Sequence, residues 1–243
     1  MNFEICLINP NKTDILFNKI KNSALKVASP STSILINKNN YNQNYYSEYY
    51  NESVNVSNLI KQIEENKTSD AFVITCFEDT GVDIARNIKS KLIVGVGEAS
   101  FDIANLIGNT FSVITTLSRS NEAIKNNLIK YGLFNKCVSL TSIEVPVLDL
   151  ETMSNLNLSK LKKEIKRTIL EDKPDAIIIC NPGMIDFTKT LEKEFEIPII
   201  EGVSSAITIV ESLLKLGFNI NKLGFKKNID IKKYNGYFSK FLK

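Results

Sequence analysis

Short β-branched segments alternate along the chain with segments whose apolar residues recur at helical spacing. The β-branched segments are mostly continuous apolar runs, which are typical of strands covered on both faces of a sheet. They predict strands at Phe3–Ile8, Ser33–Ile36, Ala71–Thr75, Leu92–Val94, Phe111–Thr115, Ala176–Ile179 and Pro198–Ile200, with another strand beginning at Cys137.

Between these strands, apolar residues three or four apart form one face of a helix. The spacing predicts helices over 16–27, 56–63, 82–88, 161–169 and 209–214. Gly132 and Gly217 lie where a glycine commonly ends a helix. Because strands and helices alternate throughout, the pattern predicts βαβ units, and therefore an α/β fold with parallel sheets.

The chain also contains an internal repeat. The segment Asp70–Cys76 resembles Asp175–Asn181, since each begins with Asp-Ala and runs through an apolar strand into a polar turn. This match has an offset of 105 residues, and two further matches, at the first strand of each half and at a glycine after a later strand, have offsets of 106 and 107. Solenoid repeats are much shorter, so this repeat indicates two similar α/β halves.

We expect the first half to comprise residues 1–99 plus 213–243 and the second half residues 100–212. Open parallel sheets bind ligands beyond the carboxyl ends of their strands. Two halves that face each other would therefore place Asn9, Cys76, Thr115 and the Cys180–Asn181 corner around one cleft.

Composition removes several functions from consideration. The 243 residues carry a net charge of +3, which is too small to indicate a nucleic-acid or membrane surface. The sequence has no apolar run of membrane-spanning length and no evident secretory signal, so we expect a cytoplasmic protein. It has no histidine, which excludes catalytic triads, imidazole zinc sites and histidine acid–base chemistry.

Proton chemistry must then use Cys, carboxylates, Lys or Tyr. The four cysteines form no Cys-x-x-Cys pair, and free thiols are expected in the cytoplasm. Cys6, inside the first strand, and Cys137, at the start of another, are expected to be packing residues. Cys76 ends an apolar strand and precedes a helix, whose N-terminus would lower the pKa of its thiol unless the neighbouring acids oppose this. The alternative is a small buried apolar residue.

The turn after the predicted strand Ala176–Ile179 allows two interpretations. Cys180 ends the apolar run, and Asn181-Pro182 follows. Successive side chains of a strand face opposite ways, so either Cys180 or Asn181 faces the cleft, but hardly both.

Polar loops follow the first strand of each half. Their amide and hydroxyl groups suit the binding of a carboxylate or imide oxygen, although helix capping explains each residue equally well. These loops contain Asn9, Pro10, Asn11 and Thr13 in the first half, and Thr115, Thr116, Ser118 and Arg119 in the second. The segment Asn37–Asn51, rich in Asn and Tyr, is either a solvated loop or a lid over the cleft.

Together, these residues resemble the hydantoin racemase branch of the aspartate/glutamate racemase superfamily. The resemblance covers nearly the whole chain in order. It is carried by Ile8–Asn11, Asp70–Gly81, Val94–Ala99, Phe111–Leu117, Val145–Glu151, Gly183-Met184 and Glu201–Val203. It implies two α/β halves related by a pseudo-twofold, with the active site in the cleft between them. It further implies a small-molecule substrate, either hydantoin-type or derived from an amino acid, no cofactor, and a homo-oligomer.

In this family two cysteines on opposite faces of the substrate move a proton at a carbon next to a carbonyl, because inversion needs a base and an acid on opposite sides. Cys76 matches the first cysteine. The second motif of the family, Gly-Cys-Ala-Gly-Met, matches Cys180–Met184 without a gap and so places Asn181 at the catalytic position. The substrate-binding residues expected from the resemblance and the loops are Asn9, Pro10, Phe77, Thr115, Thr116, Arg119, Gly183 and Met184.

Three hypotheses follow from this departure at Asn181. Cys180 serves as the second acid or base of a racemase. Alternatively, Cys76 works alone while Asn181 orients the substrate, as in a decarboxylase-like or single-face enzyme. The third hypothesis is a ligand-binding protein that has lost catalysis.

Overall fold

The strands form two four-stranded parallel sheets in the computed structural model, which describes residues 2–9, 14–37, 49–88, 91–145, 149, 154–180 and 188–219. The first sheet has the order β2-β1-β3-β4 and the second β6-β5-β7-β8, so both halves share one topology. The strands of the first sheet are β1 (Phe3–Ile8), β2 (Thr32–Asn37), β3 (Ala71–Ile74) and β4 (Leu92–Gly95). Those of the second sheet are β5 (Phe111–Thr115), β6 (Cys137–Ser142), β7 (Ala176–Cys180) and β8 (Ile199–Ile200).

Helices cover these sheets, which confirms the predicted α/β class. They are α1 (Asp14–Val27), α2 (Tyr49–Glu65), α3 (Val82–Ile88), α4 (Val96–Ile107), α5 (Asn121–Lys130), α6 (Asn155–Glu171), α7 (Thr188–Phe195) and α8 (Gly202–Lys215). Helix α2 begins earlier than its apolar spacing predicted, so the end of the Tyr-rich segment is helical. Residues 38–48 of that segment, for which a solvated loop and a lid were the two alternatives, lie outside the described residues.

Two helices exchange partners between the halves. Helix α4 follows the first sheet, but its Phe101 and Ala104 pack in a core cluster with β5 and β7 of the second. Helix α8 follows the second sheet, and its Ala206 and Ile207 pack in the cluster formed by β1, β3 and β4. The two helices also pack on each other. The division into residues 1–99 plus 213–243 and 100–212 stays a prediction.

The predicted helix-ending glycines are confirmed. Gly132 and Gly217 have φ of 74° and 75°, in the left-handed region that favours glycine. After each, the next backbone N–H returns to the helix: Leu133 donates to the carbonyl of Leu128 at 2.9 Å, and Phe218 to that of Leu213 at 3.1 Å. This pairing satisfies carbonyls that a helix end leaves without partners.

Candidate active site

Cys76 lies in the loop that joins β3 to α3, at the carboxyl end of the first sheet. Cys76 is half-buried as a residue, its thiol is in the buried part, and its side chain packs against the core cluster that contains Cys6, Ile8 and Leu59. The backbone N–H of Glu78 and the hydroxyl of Thr80 both hydrogen-bond to its sulfur. The sulfur therefore has apolar core residues on one side and two hydrogen-bond donors of its own loop on the other.

The expected lowering of the Cys76 pKa is wrong. Burial of the thiol is the main reason that its pKa is raised to about 12, and the charges of Glu78 and Asp79 outweigh the two hydrogen bonds that would lower it. Helix α3 begins only at Val82, six residues beyond Cys76. The effect of a helix N-terminus falls off within about one turn, so α3 gives this thiol little support.

Asp79 points into the protein, toward the N-terminus of α4. Its side chain is only 7 % exposed, and its carboxylate accepts hydrogen bonds from the backbone N–H of Gly97 at 3.0 Å and of Glu98 at 2.7 Å. Burial and the nearby charge of Glu98 raise the pKa of Asp79 to about 7. Sequence reasoning treated Asp79 only as an acidic neighbour of Cys76 and missed this contact, since nothing local indicates a partner 18 residues away.

The second half contacts the same loop through α5 and its end. The side-chain amide of Asn127 donates to the carbonyl of Glu78 at 2.7 Å, and the hydroxyl of Tyr131 donates to the Asp79 carboxylate at 3.0 Å. Phe77 packs edge-on against Phe101, with ring centroids 5.6 Å apart. The Cys76 loop is thus fastened to both halves. Tyr131 and Asn127 were not anticipated from the sequence.

Cys180, the other candidate thiol, is only 3 % exposed and belongs to the core cluster of Phe101 and Phe111. Phe77 packs against this same cluster. Burial raises the pKa of Cys180 well above its ordinary value, and the charges of Glu78 and Asp79 add to this effect. Cys180 therefore lies near the Cys76 loop, but its side chain packs in the interior.

The other cysteines pack as expected. Cys6 is fully buried in the cluster against which Cys76 lies. Cys137 packs against the cluster of Cys180, and its thiol donates to the carbonyl of Ser139 at 3.3 Å. Burial raises the pKa of both thiols to about 12.

The polar residues that follow the first strand of each half differ in burial. Asn9 is buried directly after β1, beside Thr75, whose hydroxyl donates to the carbonyl of Ile8 at 3.1 Å. Thr115 is the register partner of Cys180, and both Thr115 and Thr116 are buried. Arg119 is exposed on the turn that precedes α5. The predicted site residues Pro10, Asn181, Gly183 and Met184 lie outside the described residues.

Within the described ranges, no group of three or more Cys, Asp or Glu residues is arranged to hold a metal ion. None of the helices in those ranges has both the length and the apolar character needed to cross a membrane.

The two halves share one parallel-sheet topology, and the Cys76 thiol lies just beyond the carboxyl end of a central strand of the first sheet. These are the features of a two-half α/β protein with its candidate site at the sheet edge. The model of the Asp/Glu/Hydantoin racemase family matches residues 5–210, and the chain belongs to this family. The protein is accordingly an isomerase of the racemase type.

Individual relatives match over almost the whole chain. A hydantoin racemase of Pseudomonas sp. (strain NS671) is 31% identical over 240 residues, which cover 98% of this chain and 96% of the relative. A hydantoin racemase of Rhizobium meliloti is 32% identical over 221 residues, 90% of this chain and 92% of the relative. The structure of an allantoin racemase from Klebsiella pneumoniae superposes with a TM-score of 0.91 at 30% identity, and covers 99% of both chains.

Proposed function

We propose that this racemase inverts a hydantoin-type small molecule by cofactor-independent proton transfer, with the Cys76 thiol acting on one face of the substrate. The observation that carries the proposal is the placement of the Cys76 sulfur. It lies just beyond the carboxyl end of β3, in a half-buried residue, and is held by the Glu78 N–H and the Thr80 hydroxyl. Parallel sheets bind their ligands at this edge.

The chemistry requires a base that removes hydrogen from a carbon next to a carbonyl. A thiolate can do this, and the resulting enolate of a hydantoin is stabilised within the ring. Because the pKa of Cys76 is raised to about 12, the resting group is a thiol, suited to deliver a proton, and the thiolate is a strong base once formed. The rate of proton removal is therefore expected to increase with pH from neutral to alkaline conditions.

The substrate class rests on two relatives. Those similar in sequence are named for hydantoin, and the similar solved structure for allantoin. Both compounds contain a ring in which the reacting carbon lies beside a carbonyl. We propose the same cyclic class for this chain, together with a cytoplasmic location, as expected from the sequence, and a homo-oligomeric state, which the family resemblance implies.

A second candidate is proton transfer on a single face. Cys180 packs among aromatic core residues, and its counterpart in the internal repeat, Thr75, also turns inward, to the carbonyl of Ile8. With Cys180 packed in the interior, the candidate for the residue that meets the substrate is Asn181, which the second motif of the family places at the catalytic position. An amide binds an oxygen but does not move a proton at a useful rate.

Single enantiomers in heavy water test both candidates. Allantoin and a 5-substituted hydantoin are incubated separately as pure enantiomers, with optical rotation and deuterium at the reacting carbon as the readouts. A two-face racemase loses rotation as it incorporates deuterium, whereas a single-face enzyme labels one enantiomer without inverting it. Cys76→Ser is expected to reduce exchange at least about 100-fold. Full exchange in this variant would exclude Cys76 from the mechanism.

Two further cysteine variants make the result specific. Cys137→Ser is the matched control, because Cys137 is a comparably shielded thiol outside the loop, and its exchange rate is expected to stay within about twofold of wild type. Cys180→Ser separates the candidates: lost inversion with retained single-face exchange identifies Cys180 as the second acid, and retained inversion removes it from that role.

A further inference from the structure

The Asp79 carboxylate occupies a site that is shaped for it. Asp79 has φ of 51°, a left-handed conformation that costs energy for most residues and that Asp tolerates better than most. Its own N–H donates to the Cys76 carbonyl at 3.0 Å, and its carbonyl accepts from Val82, the first residue of α3, at 3.1 Å. The residue therefore closes the turn that begins at Cys76.

Two glycines leave room for this carboxylate. A Cβ at Gly95 would lie 2.0 Å from the Asp79 Oδ1 atom, and one at Gly97 would lie 2.3 Å from the carbonyl oxygen of Phe77. Real Cβ atoms do not approach other atoms so closely, so any side chain at these positions would displace the loop. The absence of side chains at Gly95 and Gly97 therefore lets the Cys76 loop pack directly against the N-terminus of α4.

Helix capping alone does not require this arrangement. The first turn of α4 already has a carboxylate of its own, since Glu98 accepts from the Gly95 N–H at 3.0 Å and pairs with Arg86. Adding a second, buried carboxylate beside Glu98 is unfavourable, as the raised pKa of Asp79 shows. A Ser or Thr would cap the helix without that cost. What Asp79 adds is a link between α4 and the loop of Cys76.

We propose that Asp79 is a positioning residue for the Cys76 thiol, and that Tyr131 of the second half holds Asp79 in place by its hydroxyl hydrogen bond. This inference rests on the proposed function, because it assigns Asp79 and Tyr131 a part in presenting that thiol. The Asn127 contact to the Glu78 carbonyl supports the same loop from the second half. The thiol is consequently held relative to both halves, between which the substrate would bind.

Two variants separate positioning from stability. Asp79→Asn keeps the shape but removes the charge, and Tyr131→Phe removes only the hydroxyl. Each is purified, its unfolding is measured, and kcat and KM for allantoin and a 5-substituted hydantoin are determined on the folded protein. The kcat is expected to fall roughly 100-fold in Asp79→Asn and roughly 10-fold in Tyr131→Phe, with KM changed less than about threefold, since misplacement of a reacting group mainly affects the chemical step.

Iodoacetamide provides a readout independent of racemase activity. The rate at which it alkylates Cys76 is followed at constant pH by peptide mass spectrometry. Loss of the Asp79 charge favours the thiolate, so alkylation in Asp79→Asn is expected to accelerate severalfold while kcat falls. In a purely structural cap, loss of the charge would still accelerate alkylation, but stability would fall while the kcat of the folded protein stayed unchanged.

The matched control is Asp83→Asn. It breaks the exposed Lys130–Asp83 ion pair, which also joins α3 to α5 but does not touch the loop. Its kcat and alkylation rate are expected to equal those of wild type. If Asp79→Asn does not fold, Tyr131→Phe decides the matter. The inference is overturned if the folded variants keep kcat within twofold, even where Cys76→Ser abolishes exchange and the proposed function stands. Full exchange in Cys76→Ser would instead overturn the proposed function itself.

Discussion

At the scale of single residues, the buried Asp79 carboxylate makes stability depend on pH in an uncommon direction. Most carboxylates in folded proteins have lowered pKa values and stabilise the fold as pH rises. The pKa of Asp79 is raised to about 7, mainly by burial and then by the charge of Glu98. The folded state therefore binds a proton here that the unfolded chain releases near pH 4.

The sign of the effect follows from proton linkage. Between about pH 4 and pH 7 the folded protein holds more protons at Asp79 than the unfolded chain, so the stability from this group is present below that window and is lost as pH rises through it. Glu201 is also buried with a raised pKa and contributes in the same direction. We expect Asp79→Asn to flatten, without abolishing, the decline. The free energy of unfolding of wild type and of Asp79→Asn is measured by urea denaturation from pH 4 to pH 8. If it falls with pH by the same amount in both, Asp79 is not the source of the pH dependence.

At the scale of elements, the N-terminus of α4 depends on the absence of side chains. Gly97→Ala would place a Cβ within 2.7 Å of the Asp79 carboxylate and nearer still to the Phe77 carbonyl, both of them held by surrounding contacts. We expect a loss of about 1–3 kcal/mol of unfolding free energy and a reduced kcat, because the loop of Cys76 must shift.

Gly217→Ala is the control for that substitution. Gly217 has φ of 75° but open space where a Cβ would stand, so alanine there meets only backbone strain. It is expected to cost about 1–2 kcal/mol with kcat unchanged. Equal kcat in the two alanine variants would show that the α4 N-terminus does not govern the Cys76 loop. Denaturant unfolding and racemase kinetics on the same preparations provide the comparison.

Elements whose signal is local were predictable from the sequence. β1 and β5 match their predicted bounds because most of their residues are apolar or β-branched and buried, which leaves little choice of structure. Gly132 and Gly217 marked helix ends because a positive φ favours glycine wherever it occurs. β3 ends at Ile74, one residue before its predicted end, although the N–H and the hydroxyl of Thr75 both still donate to the carbonyl of Ile8 in the neighbouring strand β1.

The candidate site was less predictable. The place of Cys76 after a strand follows from local pattern, but the pKa of its thiol depends on where Glu78 and Asp79 point. Asp79 turns inward because the α4 N-terminus and Tyr131, 52 residues away, supply donors that only the folded chain brings near. Local sequence contains no information about these contacts. For this reason the prediction that a helix N-terminus lowers the pKa of Cys76 was wrong.

At the scale of the whole molecule, the exchange of α4 and α8 makes each half incomplete without the other. α8 covers the first sheet with Val203, Ala206 and Ile207, yet the chain reaches it only through β8 of the second sheet. α4 does the reverse with Phe101 and Ala104. Because the two helices also pack on each other, removing either exposes apolar surface in both halves, which favours cooperative unfolding.

Ile207→Ala tests this coupling. Ile207 is fully buried in the first half's core, so its truncation is expected to cost about 2–5 kcal/mol of unfolding free energy. If the halves unfold as one unit, hydrogen-exchange protection must fall equally in β3 and in β7, although β7 lies in the other sheet. The matched control, Leu170→Ala on α6, removes an aliphatic side chain that is 63% exposed and is expected to change protection by less than about 0.5 kcal/mol. Loss of protection confined to β3 would mean that the two halves open independently. Cooperative folding would then not hold the Cys76 thiol of the first half in place against the second half.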